Sequence, residues 1–462
     1  MSNILRPSVA PRPGLAPAPA RLAGALAAAL LGACSPVPAP GPEEGGEPTA
    51  QGSIDEFAES LVAMTARRWA GPRTAAPTPE PRPEAALRRE ALSGHVAVHG
   101  APGVPARTVD AALAHAEAFI AFLHAAGWAP PETDGGRGGS PALDVYLTPT
   151  PRLAEAAPDV LDPVAYLDRM HAFARVDPAP GDLEACVVRG VAEALLLSLD
   201  PAEAPAWRRA TASALAYRWL GRFACGDGAQ RQQQEPQRGW IAEAADEGAG
   251  GGVVLALLGE QRDGGSGRFL RELWQLARQR TWEGRAEGLR AGPDLWQALE
   301  ALTDAGDRRL EDLVARIGVA RFFLGAREAF GAPPGLLGLG DDMAPPLRFA
   351  IPFEALPEHT APSEALGPYG ASYGLVEVRG APAESRLRVW LRGEHGVEWK
   401  LVVTRLDATG RPLGRLEATP DPAHPRAYLP VELTPETTHV LITAANLSHR
   451  LPDADLDDPH VR

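Results

Sequence analysis

Cysteine is the residue type whose spacing in this chain points most directly to chemistry. Cys34 ends the sequence Leu31-Gly32-Ala33-Cys34, which has the order of a bacterial lipobox: Leu at −3, small residues at −2 and −1, then the Cys. In that chemistry the Cys34 thiol is diacylated, the chain is cleaved after Ala33, and the new amine is acylated. The alternative is a free cysteine beside an ordinary signal-peptide cleavage site.

The residues before Cys34 have the composition of a secretion signal. Residues 1–33 contain three Arg and no acidic residue, and an apolar run occupies 22–31. Because this run is about half of the roughly 20 residues that a spanning helix needs, the pattern predicts a lipoprotein signal peptide over 1–33. Several acyl chains anchor a protein stably to a membrane. Ser35 stands where an Asp commonly retains lipoproteins in the inner membrane, so we expect the outer membrane, with its periplasmic and surface faces both open.

The other two cysteines lie at the ends of two predicted helices. Apolar helical runs over 182–199 and 203–223 are broken by an Asp-Pro pair, which predicts an antiparallel hairpin. Cys186 lies near the start of the first run and Cys225 lies just past the end of the second, so both fall at the open end. In an oxidising compartment this placement predicts a disulfide, and two buried thiols are the alternative.

Composition excludes several classes of function. The chain has 59 acidic and 45 basic side chains and a net charge of −14, so it lacks the basic footprint that nucleic-acid binding requires. A P-loop needs a Gly-Lys-[Ser/Thr] sequence, whereas the single lysine, Lys400, lies in an alternating apolar stretch typical of a strand. We therefore expect neither a nucleic acid nor a nucleotide as partner, and no cofactor.

The zinc-hydrolase motif HExxH is missing from the sequence. The stretch Gly264-Gly265-Ser266-Gly267-Arg268 fails the GxSxG pattern at its last residue and is typical of a loop. His95 and His99 lie on a predicted strand, where four residues span about 13 Å, which is too far apart for two ligands of one metal ion. Four Asp residues in the tail over 451–462 lack the Gly and Glu of a calcium loop. We therefore predict structural histidines, a solvated tail and no metal site.

The elements that must position these residues predict an α+β fold. A mainly helical domain with a small N-terminal sheet comes first, and a β-sandwich domain follows it. Predicted strands lie at 95–99 and 142–147, and a helix lies at 108–127 between them. Five alternating stretches follow residue 371. The predicted organisation is a signal peptide over 1–33, a Pro/Gly-rich tether over 34–83 with a helix at 53–70, the α+β domain over 84–330, a linker over 331–370, a β-sandwich over 371–450 and an acidic tail over 451–462.

The order of these elements resembles a known family. A strand ending in His95-x-x-x-His99, a helix, Gly127-Trp128, a Gly-rich loop, the strand at 142–147, a helix pair and a β-domain containing residues 386–399 follow one another. This order is similar to that of myxobacterial secreted or lipid-anchored metalloprotease-like proteins of the thermolysin-like (gluzincin) superfamily. The resemblance covers about residues 85–450 and includes no catalytic motif. It implies a gluzincin-like domain followed by the β-sandwich.

The resemblance also implies which positions would hold zinc. In gluzincins the first helix of the pair carries HExxH, with two His ligands and a general-base Glu, and the second helix carries a Glu ligand. Aligned on the apolar phase, these positions are Arg189, Gly190 and Glu193 on the first helix and Arg209 on the second. A guanidinium is always charged and has no lone pair to donate, and glycine cannot take a proton from water. These residues imply a scaffold without zinc chemistry.

The same residues suggest a replacement for the metal. Arg189 and Glu193 are four residues apart on one helix and Arg209 faces them across the hairpin, so an ion pair could tie the two helices together. The alternative is that all three are solvated side chains on a surface hairpin.

Three functions remain open at this point. The first is a lipid-anchored, non-catalytic envelope protein that binds a protein or peptide. The second is an active envelope hydrolase that uses carboxylates outside the family pattern, such as Glu184, Glu193 or Glu203. The third is a structural lipoprotein whose β-sandwich binds a partner.

Overall fold

The described residues belong to one structural unit that lies within 56–462. The computed structural model describes residues 73–74, 77–131, 135–162, 167–179, 181–226, 228–240, 248–278, 289–290, 294–304, 310–325, 327, 336, 338–359, 366–382 and 384–448. The expected signal peptide, Cys34, the helix at 53–70 and the acidic tail lie outside these residues. No helix of the described residues is both long and apolar enough to cross a membrane.

A mixed sheet with a helix pair forms the first part of the molecule. Its elements are β1 (Arg73–Thr74), β2 (Leu87–Glu90), β3 (Val96–Gly100), α1 (Ala106–Ala125), β4 (Leu143–Leu147), β5 (Ala154–Leu161), β6 (Met170–Val176), α2 (Leu183–Leu199) and α3 (Pro205–Leu220). The sheet has the order β2-β3-β4-β6-β5. The three inner strands are parallel, and β2 and β5 are antiparallel edges.

Apolar periodicity explains why α1 covers this sheet. Val109, Ala112, Ala116, Ile120 and Leu123 recur at helical spacing and are buried. Every residue of β3 and of β4 is buried as well, which is typical of parallel strands that are covered on both faces. The crossover through α1 therefore buries one face of the sheet and leaves the other elements to cover the second.

More helices follow the helix pair. They are α4 (Ala229–Gln234), α5 (Gly252–Asp263), α6 (Arg268–Ala277), α7 (Leu295–Asp304) and α8 (Leu310–Phe322), and the short strand β7 (Leu289–Arg290) pairs with β1. Their apolar faces join the same core cluster as α1, α2 and the mixed sheet. The chain is thus a mixed α/β structure in which a small N-terminal sheet precedes helices.

Strands make up the last part of the chain. They are β8 (Phe349–Pro352), β9 (Ala371–Glu377), β10 (Arg386–Arg392), β11 (Trp399–Leu406), β12 (Pro412–Ala418), β13 (Arg426–Glu432) and β14 (His439–Asn446). One sheet has the order β12-β11-β14-β9-β8, and β10 and β13 form a separate antiparallel pair. Apolar residues of both sheets share one buried cluster.

Polar contacts help to join α8 to the C-terminal strands. The Tyr373 hydroxyl donates to the Gly318 carbonyl oxygen at 2.5 Å, with the tyrosine on β9 and the glycine on α8. Lys400 Nζ lies 3.0 Å from Asp312 Oδ1 on α8 and 3.2 Å from Glu417 Oε2 on β12. The expected strand position of Lys400 is confirmed, because it lies in β11.

Two of the expected domain boundaries need correction. Residues 331–370 were expected to be a linker, but β8 lies within them and pairs in parallel with β9, so the C-terminal sheet begins before residue 371. The tether was expected to extend to residue 83, but Arg82 Nη2 lies 2.6 Å from Asp159 Oδ2 on β5. The body therefore begins before residue 84, since an ion pair with a buried carboxylate holds Arg82 against the sheet.

Candidate functional site

Local signals place the helix pair α2 and α3. Asp182 is the N-cap of α2, and its side chain accepts a hydrogen bond from Ala185 N. Pro205 occupies the first turn of α3, where its fixed φ suits a helix start. Gly221 ends α3 in the left-handed region, with φ +70°. The helices predicted over 182–199 and 203–223 are confirmed.

Burial of α2 is nearly complete. Each residue from Ala185 to Leu199 is buried, including Arg189 and Glu193, because α2 packs between α1, α3 and the strands β5 and β6. Arg209 on α3 is only 7% exposed. The alternative of solvated side chains on a surface hairpin is therefore wrong.

The expected ion pair between the two helices is confirmed. Arg209 Nε lies 3.6 Å from Glu193 Oε1, and both side chains are buried. Two buried charges compensate each other only when they are close, because each has given up its hydration. The pair therefore forms a polar tie inside an otherwise apolar helix interface.

Arg189 uses its guanidinium differently from Arg209. Its Nη1 donates a hydrogen bond to the backbone carbonyl of Cys225. The predicted disulfide between Cys186 and Cys225 is confirmed, with Cα atoms 5.1 Å apart. Cys225 has φ +58°, a conformation that costs energy for a residue other than glycine. The disulfide and Arg189 together hold the chain in this conformation at the open end of the hairpin.

The electrostatic environment of Glu193 combines opposing effects. Burial raises the pKa of its carboxyl, and the positive charges of Arg189, Arg209 and Arg208 offset only part of that rise. Glu193 Oε2 is buried and has no hydrogen-bond partner among the described residues. The folded protein thus holds a proton on Glu193 more readily than the unfolded chain does.

Gly190, at the expected general-base position, packs against the mixed sheet. A Cβ atom there would lie 3.0 Å from Val176 Cγ2, 3.5 Å from Ala174 Cβ and 3.7 Å from Ala154 Cβ. These atoms belong to β6 and β5, so the absence of a side chain permits the close approach of α2 to the sheet. The four positions therefore do not share one cleft. Glu193 and Arg209 meet at the helix interface, Arg189 reaches the carbonyl of Cys225, and Gly190 faces the strands.

The carboxylates of the hydrolase alternative are not gathered in one place. Glu184 is nine residues from Glu193 along α2, which corresponds to about 13 Å at 1.5 Å per residue, and its Oε1 accepts from Trp219 Nε1 at 3.1 Å. Glu203 accepts from the backbone N–H of Ala204 and of Leu295, both at 2.8 Å. Glu203 is thus occupied in holding the start of α7.

The sequence did not predict that acidic residues near the turn between α2 and α3 lie buried close to one another. Asp200 is buried, and burial together with the nearby charge of Asp168 raises the pKa of its carboxyl to about 8. Burial, with the charges of Asp200 and Asp294, also raises the pKa of Glu203. The sequence signal at Asp200 was an Asp-Pro helix break, and nothing in it indicated that the turn would be buried.

The predicted structural role of His99 is consistent with its contacts. His99 Nε2 lies 2.7 Å from Asp144 Oδ1, and the imidazole stacks on Tyr146 with centroids 4.5 Å apart. Arg82 contacts both Asp144 and Asp159, and these hydrogen bonds raise the pKa of Arg82. The network satisfies buried polar groups where β3 and β4 meet.

A cavity lies on another side of α2. Its volume is about 230 Å³, and Val191 and Leu195 of α2 line it together with His95, Glu117 and His124. Most of the exposed surface of the cavity is apolar, which suits an apolar ligand group. Arg189, Arg209 and Glu193 are not among the residues that line this cavity.

Among the described residues, no group of three or more His, Cys, Asp or Glu side chains is placed to hold a metal ion. No protein-family model matches the chain, and no curated protein matches it.

The buried ion pair predicts strong coupling between Glu193 and Arg209. Glu193→Gln and Arg209→Met should each lower the free energy of unfolding by roughly 3 to 5 kcal/mol, because each leaves a buried partner uncompensated. The double variant should lose clearly less than the sum of the two. Urea denaturation of the four proteins measures this coupling.

An exposed ion pair across the same hairpin is the matched control. Arg222 Nη1 lies 2.6 Å from Asp182 Oδ2 in a solvent-accessible position, so Arg222→Met should cost under about 1 kcal/mol. Strictly additive losses for Glu193 and Arg209 would contradict the tie.

The raised pKa of Asp200 predicts a loss of stability as pH rises. The folded state keeps the Asp200 proton up to pH about 8, whereas the unfolded chain releases it near pH 4, so the free energy of unfolding falls between these values. Asp200→Asn removes this fall and can still accept from Ala202 N. The variant should match the wild type at pH 4 and exceed it by a few kcal/mol at pH 8.

Asp182→Asn should change the free energy of unfolding with pH in the opposite direction. A hydrogen bond from Arg222 lowers the pKa of Asp182, so this variant should be less stable than the wild type at neutral pH and approach it as pH falls below about 4. Chemical denaturation at pH 3, 4, 6 and 8 measures both effects. A stability difference for Asp200→Asn that is constant with pH would contradict the prediction.

Proposed function

We propose that this chain is a lipid-anchored protein of the cell envelope whose body is a metallopeptidase-like scaffold with a binding or structural role. One arrangement supports the proposal most: Arg189 and Arg209, at the positions expected for zinc ligands, lie in a buried helix pair beside Glu193. Two guanidinium groups would repel a zinc ion and cannot donate a lone pair to it.

Packing around residue 190, the expected general-base position, also supports the proposal. A glutamate at residue 190 would need the space that Val176 and Ala174 occupy, and close-packed interiors do not accept such an enlargement without strain. Residue 190 therefore serves the packing of the helix pair on the sheet, and it does not supply a general base that could activate water. A mixed sheet, a helix pair and C-terminal strands, in that order, agree with the gluzincin-like organisation that the resemblance implies.

The C-terminal strands are proposed to be a β-sandwich. Val389 and Val431 of the β10–β13 pair and Leu401 and Val440 of the five-stranded sheet belong to one buried cluster, as expected when two sheets pack face to face. A sandwich held by such a core can present its outer faces to a partner. The binding role is assigned to this domain, because the helix pair is buried.

The anchor rests on the sequence alone. The run from Leu31 to Cys34 has the lipobox order, and the Pro/Gly-rich residues after it suit a semi-extended tether. A tether of this kind would hold the body away from the membrane. We propose the outer membrane as its location.

Replacement of the lipidated cysteine tests the anchor. In a bacterial host that processes lipoproteins, the wild type should label with radioactive palmitate and remain in the membrane fraction after a high-salt wash. Cys34→Ser should not label and should leave that fraction. The control is the double variant Cys186→Ser/Cys225→Ser, which lacks the disulfide and should still label. Salt-resistant membrane association of Cys34→Ser would contradict the anchor.

Metal content and hydrolysis test the loss of zinc chemistry. Purified protein should contain far less than one zinc per chain by elemental analysis, and it should show no chelator-sensitive hydrolysis of casein or of a mixed peptide library. Any hydrolysis that persists in the double variant Glu193→Gln/Arg209→Met comes from another source. Stoichiometric zinc, or turnover that a chelator abolishes and zinc restores, would overturn the proposal.

A further inference from the structure

One face of the C-terminal domain differs in charge from the rest of the chain. Along β10 and β13 every second side chain is exposed, as alternation on a strand requires. We call this exposed surface the β10–β13 face, and its residues are Arg386, Arg388, Trp390, Arg392, Arg426, Tyr428, Pro430 and Glu432. It carries four arginines and one glutamate in a chain whose net charge is −14.

An aromatic pair lies at the middle of the face. Trp390 and Tyr428 are directly opposite each other across the two strands, and their ring centroids are 4.4 Å apart. Trp390 is 71% exposed and Tyr428 is 40% exposed. An exposed tryptophan leaves a large apolar surface in water, and paired aromatic rings on a sheet form a flat platform that a ligand can cover.

The arginines next to this platform have no carboxylate partner among the described residues. Arg392 is directly opposite Arg426, and like charges in that position destabilise a strand pair. Among the described residues, ion pairs on this face are limited to Arg386 with Glu432, at 3.0 Å. No described carboxylate pairs with Arg388, Arg392 or Arg426. An anion bound between Arg392 and Arg426 would relieve their repulsion, because guanidinium groups bind carboxylates in a bidentate manner.

The size of the face favours a narrow ligand. Seven residues per strand correspond to about 24 Å in length, and two strands are about 10 Å wide. A linear polymer can follow such a narrow strip along its length, whereas the roughly 800 Å² of accessible surface that a stable protein interface buries on each partner needs a broader patch.

We propose that the β10–β13 face binds an acidic polysaccharide. Sugar rings lie on Trp390 and Tyr428, and carboxylates of neighbouring sugars bind Arg392 and Arg426 on one side of the platform and Arg388 on the other. This proposal deepens the binding role given above for the C-terminal domain and rests on it. A single-stranded nucleic acid would also stack on aromatic rings, but proteins that bind it follow its backbone with a positively charged groove, whereas the β10–β13 face is a two-stranded strip. The titrations below treat a nucleic acid as an outcome that overturns the proposal.

Calorimetric titration of the full-length protein with polygalacturonate tests the proposal, and its methyl ester is the uncharged analogue. The wild type should bind polygalacturonate at least tenfold more tightly than the ester, with an affinity that falls as salt rises. Trp390→Ala and Arg392→Gln/Arg426→Gln should each weaken polygalacturonate binding at least tenfold. Only the arginine variant should also lose most of the salt dependence.

Variants on the neighbouring strand are the matched controls. Arg415→Gln and Leu416→Ala change exposed side chains of β12 and should bind as the wild type does. All variants should stay folded at the temperature of the titration, since the altered side chains are exposed, and Arg392→Gln/Arg426→Gln should raise the unfolding midpoint slightly because it removes the like-charge pair. Tighter binding to a single-stranded oligonucleotide, or to phosphatidylglycerol vesicles, would replace the polysaccharide by another class of ligand and overturn the proposal.

The outcomes separate this proposal from the one before it. If polygalacturonate does not bind, or if Trp390→Ala binds it as tightly as the wild type does, the assignment of the face is overturned. The proposed anchor and the proposed loss of zinc chemistry are then still decided by their own experiments. Stoichiometric zinc with chelator-sensitive hydrolysis overturns the proposed function, whereas binding on the β10–β13 face would then persist in the presence of chelator.

Discussion

Burial of the Glu193 carboxyl beside Arg209 is the constraint on which the helix pair depends. Because α2 is enclosed by α1, α3 and two strands, an ionisable group on it has no water to solvate it, and compensation must come from the protein. Arg209 supplies this compensation across the interface at 3.6 Å. Removal of one partner alone is costly for this reason, whereas replacement of both by apolar residues would be tolerated far better.

Other features of the body adapt the surroundings to this central helix. The disulfide closes the open end of the hairpin, and the carbonyl of Cys225 becomes the acceptor for Arg189. Gly190 lets α2 approach β6 closely, since a Cβ atom there would lie only 3.0 Å from Val176 Cγ2. An ion pair, a disulfide and close packing on the sheet thus all act on one helix.

Secondary structure was predictable where the apolar pattern was strong. The strands β3, β4 and β9 to β11 and the helices α1 to α3 alternate or repeat clearly, and they lie close to their expected positions. Strands β5 and β6 were missed because they are rich in Ala, and β5 also contains Pro158, which lowers intrinsic strand preference. Strand β12 was missed because it is exposed along most of its length, so no alternation marked it. Whether such a segment forms a strand depends on its pairing with neighbouring strands.

The sequence by itself determined the hairpin with its two cysteines at the open end, because helical periodicity, the Asp-Pro break and the cysteine spacing are local features. The lipobox order at Cys34 remains a prediction from the sequence. Only the tertiary structure decided that Glu193 is buried, that Gly190 faces the sheet and that Arg392 is opposite Arg426. Burial and strand register depend on elements that are far apart in the chain. The sequence around Arg189 and Arg209 is therefore compatible both with a solvated surface and with a paired interior, and only the packing of those distant elements decides between them.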